Sequence, residues 1–568
     1  MFETSLALPD DLQSDVRARL AGWRAADATQ RLWNKDALLW TGADEPKWLG
    51  WLDEATAQCA ALPGLVRFAA EIQKEGTTHA AVLGMGGSSL CPYVFARTFG
   101  PVPGWPRLEV LDSTDPQQIR HFEASLDLPH TMFIVSSKSG STLEPNILRD
   151  YFLSRMKTVV GDKAAKHFIA VTDPGSQLEK QAMKDGFRMI FPGDPEIGGR
   201  FSALSNFGTV PASLAGIETH RLLDGAEKMQ LACRGSDPAT NPGVLLGVVL
   251  AAAAAQGRDK LTIFASPEIG EVGAWLEQLI AESTGKQGTA IIPVANERVG
   301  RPDVYGKDRL FVHLVANAAD PQSDAIRALE QAGHPVVRFS LTSAYDLGAE
   351  FLRWEIATAV AGSLRHINPF NQPDVEASKI ATRKLTDEVE RTGSLPAEEP
   401  FHAERGIKLF ADQANRESIS KAAGAGTLVD LLRAHFARLG SGDYAAVLAY
   451  VEMTSEHETV LQSIRHRIRD RKHVATTLGF GPRFLHSTGQ AHKGGPNTGV
   501  FLQVTADDAQ DLPVPGHRYS FGTVKAAQAR GDLAVLDERG RRALRVHIGK
   551  DVGAGLAALN QLIQEAVS

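Results

Sequence analysis

Four hydroxyl side chains cluster around one glycine in the segment Ser137-Lys-Ser-Gly-Ser-Thr142, which lies between an apolar β-branched run and a helix start. At such a junction the orphan N–H groups of the helix and its dipole favour an anion. Gly140 permits a turn, and Pro145 suits the first helical turn because its missing N–H costs nothing there. An ordinary N-cap is the alternative, but four hydroxyls exceed what a cap needs. The segment therefore predicts a phosphate-binding loop.

A second group of residues suits acid–base chemistry. Trp275, Gln278 and Glu282 are spaced by three and four, so they share one face of a predicted helix over 271–283. Glu282 lies in the last turn, where the negative end of the helix dipole suits a group that accepts a proton near neutral pH. The alternative is an exposed helix-end glutamate beside Lys286. The pattern makes Glu282 a candidate general base.

Two glycine-rich segments supply further candidates. Gly198-Gly-Arg-Phe-Ser202 places a cation, Arg200, between small turn residues, although a solvated loop arginine would look the same. Gly84-Met-Gly-Gly-Ser-Ser89 follows an apolar strand but lacks the full spacing of a dinucleotide turn. Gly87 and Ser88 are therefore better interpreted as contacts to a sugar or phosphate.

Composition sets the frame for these motifs. The chain has 568 residues, and a prior of about 150 residues per unit predicts three or four units. Its net charge of −7 gives no general basic surface for nucleic acid. The three cysteines show neither metal-type spacing nor a disulfide pattern, which fits a reducing cytoplasm. The N-terminal sequence resembles no targeting peptide, and the most apolar run, 244–255, is too short to span a bilayer.

The elements that must position these residues follow an α/β rhythm. Short apolar strands alternate with helical segments, which predicts βαβ units and mostly parallel sheets. Predicted strands lie at 80–83, 108–111, 132–135 and 168–171, then at 261–265, 310–314 and 336–339, and finally near 446–451, 475–478, 500–504 and 543–547. Loops at the carboxyl ends of such strands bind ligands, and both loops 84–89 and 136–142 occupy such ends.

We predict four regions from this pattern. They are a helical N-terminal arm (1–75), two α/β domains (76–235 and 236–394) and a C-terminal α/β extension (395–568). The tryptophan-rich arm either covers a core or grips a second subunit, and the sequence does not choose between these roles.

Five ordered segments resemble the signature segments of the phosphoglucose isomerase family. They are Gly84–Ser88, Ser137–Thr142, Gly198–Ser202, Glu282–Lys286 and the segment Ile367-Asn-Pro-Phe-Asn-Gln-Pro-Asp-Val-Glu-Ala-Ser-Lys379. The resemblance implies two flavodoxin-like sugar-isomerase (SIS) domains with parallel sheets. It also implies an aldose–ketose isomerase that interconverts glucose 6-phosphate and fructose 6-phosphate without a metal or organic cofactor.

The resemblance also implies roles for individual residues. Glu282 would move a proton between C2 and C1 through a cis-enediol, Arg200 would stabilise the enediolate, and Lys379 would assist ring opening. The substrate phosphate and sugar would be held by residues from several of the segments, namely Gly87, Ser88, Ser137, Lys138, Ser139, Thr142, Gln278 and Gln372.

One element of the family is missing from its usual place, the Gly-Thr-Asn-x-Gln-His loop whose histidine opens the sugar ring. Between Gly285 and Val315 the only histidine is His313, which sits in an apolar strand and is better interpreted as a core residue. The extension offers a replacement in the polar loop 481–499, which contains two histidines. We predict that His492, or failing it His486, enters the pocket. A mobile surface loop is the alternative.

The whole layout looks like the isomerase part of fused transaldolase–phosphoglucose isomerases. No transaldolase segment is present, so we predict neither a Schiff-base lysine nor aldol chemistry, and Lys550 is interpreted as a helix-start lysine. A non-catalytic phosphosugar sensor is the competing hypothesis, although it would not need Arg200, Glu282 and Lys379 together. Mannose 6-phosphate is an alternative substrate, and a homodimer is expected from the relatives. No nucleic acid or membrane partner is expected.

Overall fold

The computed structural model describes residues 4–316, 319–424 and 426–568, and it contains three sheets, each covered by helices. No helix among these residues is both long enough and apolar enough to cross a membrane.

The first unit is a fully parallel sheet of five strands in the order β3-β2-β4-β5-β6. This is the flavodoxin-like order. Strands are added on one side of β2 as far as β3 and then on its other side from β4 onwards, and this switch leaves a crevice at the carboxyl ends of β2 and β4. Its elements are β2 (His79–Leu83), α4 (Leu90–Phe99), β3 (Arg107–Leu111), α5 (Pro116–Ser125), β4 (Thr131–Ser136), α6 (Leu143–Val160), β5 (Phe168–Thr172), α7 (Gln177–Asp185), β6 (Met189–Pro192), α8 (Asn206–Leu214) and α9 (Thr219–Cys233).

The second unit repeats this arrangement with the strand order β8-β7-β9-β10, again parallel. The flavodoxin-like fold predicted for both units is thus confirmed. Its elements are α10 (Pro242–Ala255), β7 (Lys260–Ala265), α11 (Val272–Thr284), β8 (Ile292–Val294), β9 (Arg309–Val315), α12 (Ser323–Gln331), β10 (Val336–Ser340), α13 (Leu347–Leu364) and α14 (Val375–Thr392).

The N-terminal arm differs from the prediction because it is not wholly helical. Its first element, β1 (Thr4–Ala7), pairs antiparallel with β10 and forms the edge of the second sheet. The helices α1 (Asp10–Ala25), α2 (Ala28–Trp33) and α3 (Trp51–Lys74) follow. A four-residue strand was missed because its pairing partner lies more than 300 residues away, so no local pattern marks it.

The arm covers the core of this chain. Trp23, Trp40 and Trp51 are buried in the largest apolar cluster, which spans both α/β units. Trp40 donates its indole N–H to the carbonyl of Ala359 at 2.8 Å. Trp51 stacks on Phe201, next to the candidate cation Arg200, with ring centroids 5.2 Å apart. The first of the two predicted roles of the arm is therefore realised within one chain.

The extension forms a third doubly wound unit, with the order β14-β13-β15-β16 continued by antiparallel β12 and β11. Its elements are β11 (His402–Glu404), β12 (Ile407–Phe410), α15 (Gln413–Ala423), α16 (Leu428–Phe436), β13 (Tyr444–Tyr450), α17 (Ser455–Lys472), β14 (Ala475–Phe480), α18 (Gly489–Gly494), β15 (Gly499–Thr505), α19 (Phe521–Glu538), β16 (Arg542–His547) and α20 (Val552–Val567). An apolar cluster joins β8 and α11 to this sheet, so the extension packs directly on the second unit.

Candidate active site

The predicted phosphate loop leaves β4 and enters α6, as the sequence suggests. Thr142 occupies the N-cap position of α6, but its side chain makes no capping hydrogen bond. The hydroxyl of Ser137 is buried and has no hydrogen-bond partner among the described residues. Gly140 adopts a positive φ of 66°, and a Cβ there would lie 2.4 Å from the backbone nitrogen of Leu178. The loop is therefore shaped as an open anion site rather than as a satisfied helix cap.

The side chain of Lys138 does not point into this loop. Its ammonium donates to Asp173 Oδ1 and to the carbonyl of Asp194, both at 2.7 Å. Ser139 and Ser141 are exposed at the loop mouth and hydrogen bond to each other. Of the predicted phosphate ligands, Ser137, Ser139 and Thr142 thus present free or exposed hydroxyls, whereas Lys138 is held in a structural ion pair.

The two glycine-rich segments meet directly. A Cβ on Gly87 would lie 1.9 Å from the carbonyl oxygen of Gly199, so only glycine permits this approach. Gly86, Gly87 and Ser88 form a short buried 3-10 turn beside that of Gly199–Phe201. The contact brings the loop after β2 against the segment that carries Arg200.

Arg200 and Glu282 form the centre of the candidate site. Arg200 Nη1 lies 3.6 Å from Glu282 Oε1, and both residues are buried. The guanidinium also donates to Ser283 Oγ at 2.7 Å, Gln372 Oε1 at 3.0 Å and the carbonyl of Pro369 at 2.5 Å. Burial lowers the pKa of Arg200, and the attraction of Glu282 opposes that change. The two alternatives, a solvated loop position for Arg200 and an exposed helix end for Glu282, are therefore wrong.

Lys286 stabilises the segment that faces this pair. Its buried ammonium donates to the carbonyl of Asn368 at 2.8 Å and to Asn371 Oδ1 at 3.1 Å. Burial, together with repulsion from Arg200, lowers the pKa of Lys286 well below its ordinary value. The lysine thereby fixes the backbone that leads to Gln372, a predicted substrate ligand.

Gln278 connects the general-base candidate to the extension. Its Nε2 donates to Glu282 Oε2 at 3.0 Å and to the backbone carbonyl of His486 at 2.8 Å. Its Oε1 is buried and accepts no hydrogen bond from the residues described. One of the two histidines predicted in the polar loop is therefore placed next to the glutamate helix.

The imidazole of His486 faces a carboxylate that the sequence analysis missed. His486 Nε2 lies 3.0 Å from Glu144 Oε1, at the start of α6. Burial would raise the pKa of Glu144, but attraction and hydrogen bonding to His486 hold it below the ordinary value. The same Glu144 oxygen accepts a hydrogen bond of 2.6 Å from Gln528 Nε2 on α19. The arrangement fixes the imidazole through one ring nitrogen and leaves Nδ1 for another partner.

A cavity of about 610 Å³ runs from the phosphate loop to His486, and Arg200, Glu282 and Gln278 do not line it. Ser141, Thr142, Glu144 and His486 line it, and Lys379 of α14 lies on its rim. The Lys379 ammonium is half exposed and lies 3.5 Å from Glu376, without direct contact to Arg200 or Glu282. Its positive charge contributes to the lowered pKa of Glu144. A cavity of this size can hold a small ligand.

His492 is placed elsewhere. Helix α18 turns its ring inward among Tyr444, Phe484 and Phe501, with centroids 5.1 to 6.3 Å away. Burial lowers its pKa well below the ordinary value, and its Nδ1 has no hydrogen-bond partner in the described part of the chain. His492 does not line the cavity described above. The geometry favours His486, the second of the two predicted histidines.

His313 is a core residue as expected, with Nε2 2.8 Å from Asp320.

Two further contacts, absent from the sequence analysis, hold the histidine loop in place. Arg483 donates to both oxygens of Asp112, which follows β3, at 2.9 and 3.0 Å. Gln490 donates to the carbonyl of Gly285 and to Asp374 Oδ2, both at 2.8 Å. The charged and amide residues within 481–499 could have suggested that this loop forms such contacts. The sequence does not show which distant residues they contact.

Taken together, these features define a doubly wound α/β protein that combines a loop predicted to bind an anion with a buried carboxylate–guanidinium pair. The sequence profile of phosphoglucose isomerases matches residues 70–307. A glucose-6-phosphate isomerase of Synechococcus is 31% identical over 369 residues, which cover 56% of this chain and 69% of that protein. The chain belongs to the phosphoglucose isomerase family.

Other relatives agree with this assignment. The glucose-6-phosphate isomerase of Rubrobacter xylanophilus is 29% identical over 56% of this chain and 85% of its own length. The crystal structure of a glucose-6-phosphate isomerase from Chlamydia trachomatis has a TM-score of 0.57 at 20% identity, covering 70% of this chain and 89% of that one. A hypothetical protein from Thermus thermophilus has a TM-score of 0.58 at 25% identity, covering 68% and 99%. These structures share the fold.

Proposed function

We propose that this chain catalyses the reversible isomerisation of glucose 6-phosphate and fructose 6-phosphate. The observation that carries the proposal is the buried pair of Arg200 and Glu282, 3.6 Å apart and connected through Gln278 to the cavity beside the phosphate loop. An α-hydroxy carbonyl can lose a proton to a positioned carboxylate when a fixed cation stabilises the charge that develops on oxygen.

Binding begins with the phosphate. The hydroxyls of Ser137, Ser139 and Thr142, together with the N-terminus of α6, hold the dianion, and Thr142 and its neighbour Ser141 line the cavity. Gly87 and Ser88 form the neighbouring turn, which the Gly87–Gly199 contact holds in place, and they contact the sugar phosphate. Gln278 offers its unpartnered Oε1 to a sugar hydroxyl.

Ring opening uses His486. The anomeric hydroxyl loses its proton as the carbonyl forms, the ring C–O bond breaks, and the ring oxygen takes up a proton, so the step is balanced. His486, held through Nε2 by Glu144, presents Nδ1 for one of these transfers. Lys379, which lines the same cavity, contacts the sugar oxygens and assists this step.

Isomerisation follows in the open chain. Glu282 removes the C2 proton of the aldose and returns it to C1, through a cis-enediol. Arg200 stabilises the negative oxygen of the intermediate, because its dry surroundings strengthen the interaction. Gln278 orients the carboxylate through its hydrogen bond to Oε2.

A coupled assay of fructose 6-phosphate turnover tests the proposal, with the variants Glu282→Gln, His486→Ala and His492→Ala. Glu282→Gln should lose about 10²–10⁴-fold in kcat, the usual contribution of a general base. His486→Ala should lose activity while His492→Ala acts mainly on stability. An inactive wild type that binds the sugar phosphates would favour the phosphosugar sensor instead.

Three finer expectations remain part of this proposal. The ligands are glucose 6-phosphate and fructose 6-phosphate, with mannose 6-phosphate to be compared in the same assay, because epimer discrimination rests on a few pocket contacts. The chain acts in the cytoplasm. It forms a homodimer, which light scattering of the purified protein would show.

A further inference from the structure

Gln528, on α19 of the extension, makes two hydrogen bonds that fix its amide. Its Nε2 donates to Glu144 Oε1 at 2.6 Å, and its Oε1 accepts from Thr114 Oγ1 at 2.7 Å. Thr114 follows β3 of the first unit, and Glu144 opens α6 of the same unit. Gln528 therefore bridges, from outside that unit, the segments that follow β3 and β4, the two strands that flank β2.

The direction of the amide follows from these contacts. An ionised carboxylate only accepts hydrogen bonds, so the –NH2 of Gln528 must face Glu144. The Thr114 hydroxyl donates to the other end of the amide and opposes a flip. All three side chains are at most 4% exposed, so both bonds are sheltered from bulk water.

Burial gives this bridge an energetic consequence. A carboxylate removed from water tends to become neutral unless donors compensate for its lost hydration. Besides His486, the donor that the structure gives to Glu144 Oε1 is Gln528. Without it, Glu144 would shift towards the protonated form or turn away from the imidazole.

We propose that Gln528 is a positioning residue for ring opening: it keeps Glu144 ionised and oriented, so that Glu144 holds His486 in the productive orientation. The inference rests on the proposed isomerase function and adds a residue to it. The extension thus supplies both the histidine and the amide that holds the carboxylate partner of the histidine.

Ring opening can be measured separately from isomerisation, which makes the proposal testable. Two-dimensional exchange NMR of glucose 6-phosphate reports the interconversion of α and β anomers, which needs ring opening alone. Incorporation of deuterium at C2 in D2O reports the action of Glu282. The variants are Gln528→Met, which keeps the shape but removes the donor, and Gln528→Glu, which replaces the donor by a second carboxylate.

Gln503→Met is the matched control. Gln503 is also a fully buried glutamine of the extension, and its Nε2 donates at 3.0 Å to the carbonyl of Ala529, the residue after Gln528. Replacing Gln503 removes a hydrogen bond to the same helix, α19, and leaves the hydrogen bonds of Glu144 in place. Thr114→Val is a further variant, since it removes the hydroxyl that fixes the amide.

We expect Gln528→Met and Gln528→Glu to slow anomer exchange by about tenfold or more, as befits a group acting on an acid–base residue. The KM and melting temperature of Gln528→Met should stay close to those of Gln503→Met, which should keep anomer exchange within about twofold of wild type. Gln528→Glu should also lower the melting temperature, because it buries a second carboxylate beside Glu144. Thr114→Val should give an intermediate loss.

Two results would overturn the inference. One is normal anomer exchange in both Gln528 variants, and the other is an equal loss in Gln503→Met. A wild type that catalyses neither anomer exchange nor deuterium incorporation would instead refute the proposed function, so the two failures are distinguishable.

Discussion

Arg483→Leu should release the loop that carries His486. Arg483 donates to both oxygens of Asp112 at 2.9 and 3.0 Å, and its guanidinium lies 4.2 Å from the ring centre of Tyr93. The side chains of Arg483 and Asp112 are 15% and 2% exposed. Burial alone would lower the pKa of Arg483, but attraction to Asp112 outweighs it and raises that pKa. The pair thus closes the interface between the extension and the first unit.

The structure sets the size of the effect. Removing one partner of a buried ion pair costs about 3–5 kcal/mol, because the remaining charge stays desolvated. Asp112 would keep a hydrogen bond of 3.1 Å from Ser89, which places the expected loss at the lower end, about 3 kcal/mol. If that whole loss appeared as displacement of the loop, the ratio of ordered to displaced loop would fall by roughly a hundredfold.

The assay is a double-mutant cycle of Arg483→Leu and Asp112→Asn, followed by urea unfolding and by kcat for fructose 6-phosphate. We expect each single change to lower both quantities and the double variant to recover part of the loss, because the unpaired charge is gone. Arg301→Leu is the control, since its pair with Asp303 is exposed and should contribute little that is measurable. Additive losses in the cycle would refute the reasoning.

Two further predictions concern the first unit. Gly87→Ala should abolish activity and lower stability, because its Cβ would meet the Gly199 carbonyl oxygen at 1.9 Å and push the Arg200 segment away. Gly64→Ala is the control, because the space around its Cβ is open. A fully active Gly87→Ala would contradict the contact. Glu144 has a folded pKa below its ordinary value of 4.5, so its contribution to stability is present above that pH and lost as the pH falls through the folded pKa. The free energies of unfolding of wild type and Glu144→Gln should therefore converge as the pH falls below 4.5 and through the folded pKa, and parallel curves over the whole range would show that Glu144 contributes nothing.

Several parts of the site could be predicted from local sequence. The segment 133–145 combines an apolar strand, a small-residue turn and a helix start, and each of these signals is local. Glu282 and Gln278 share a helix face because the helical period fixes it. The eleven strands predicted in the three units lie within two residues of the observed ends, since buried parallel strands are short apolar runs, but β6, β8, β11 and β12 were not predicted.

Other parts depend on contacts between distant segments. Glu144 lies in the first turn of α6, directly after the predicted loop. Its role follows only from its contact with His486, which is 342 residues further along the chain. The sequence pattern ranked His492 before His486 because the spacing of Gly, Gln and His resembles the family loop, whereas α18 turns that ring into an aromatic cluster. β1 likewise exists only because β10 offers it an unpaired edge.

The sequence by itself determined the α/β class and the family, and it predicted a phosphate loop at 137–142 and a general base on the helix that carries Glu282, because these depend on period, composition and short motifs. Tertiary structure alone decided which histidine reaches the cavity, which carboxylate holds it, and that the extension is a third doubly wound unit packed against the first two. The physical reason is that burial, ion pairing and hydrogen bonding between residues hundreds of positions apart are properties of the packed chain, and no local pattern encodes the partner.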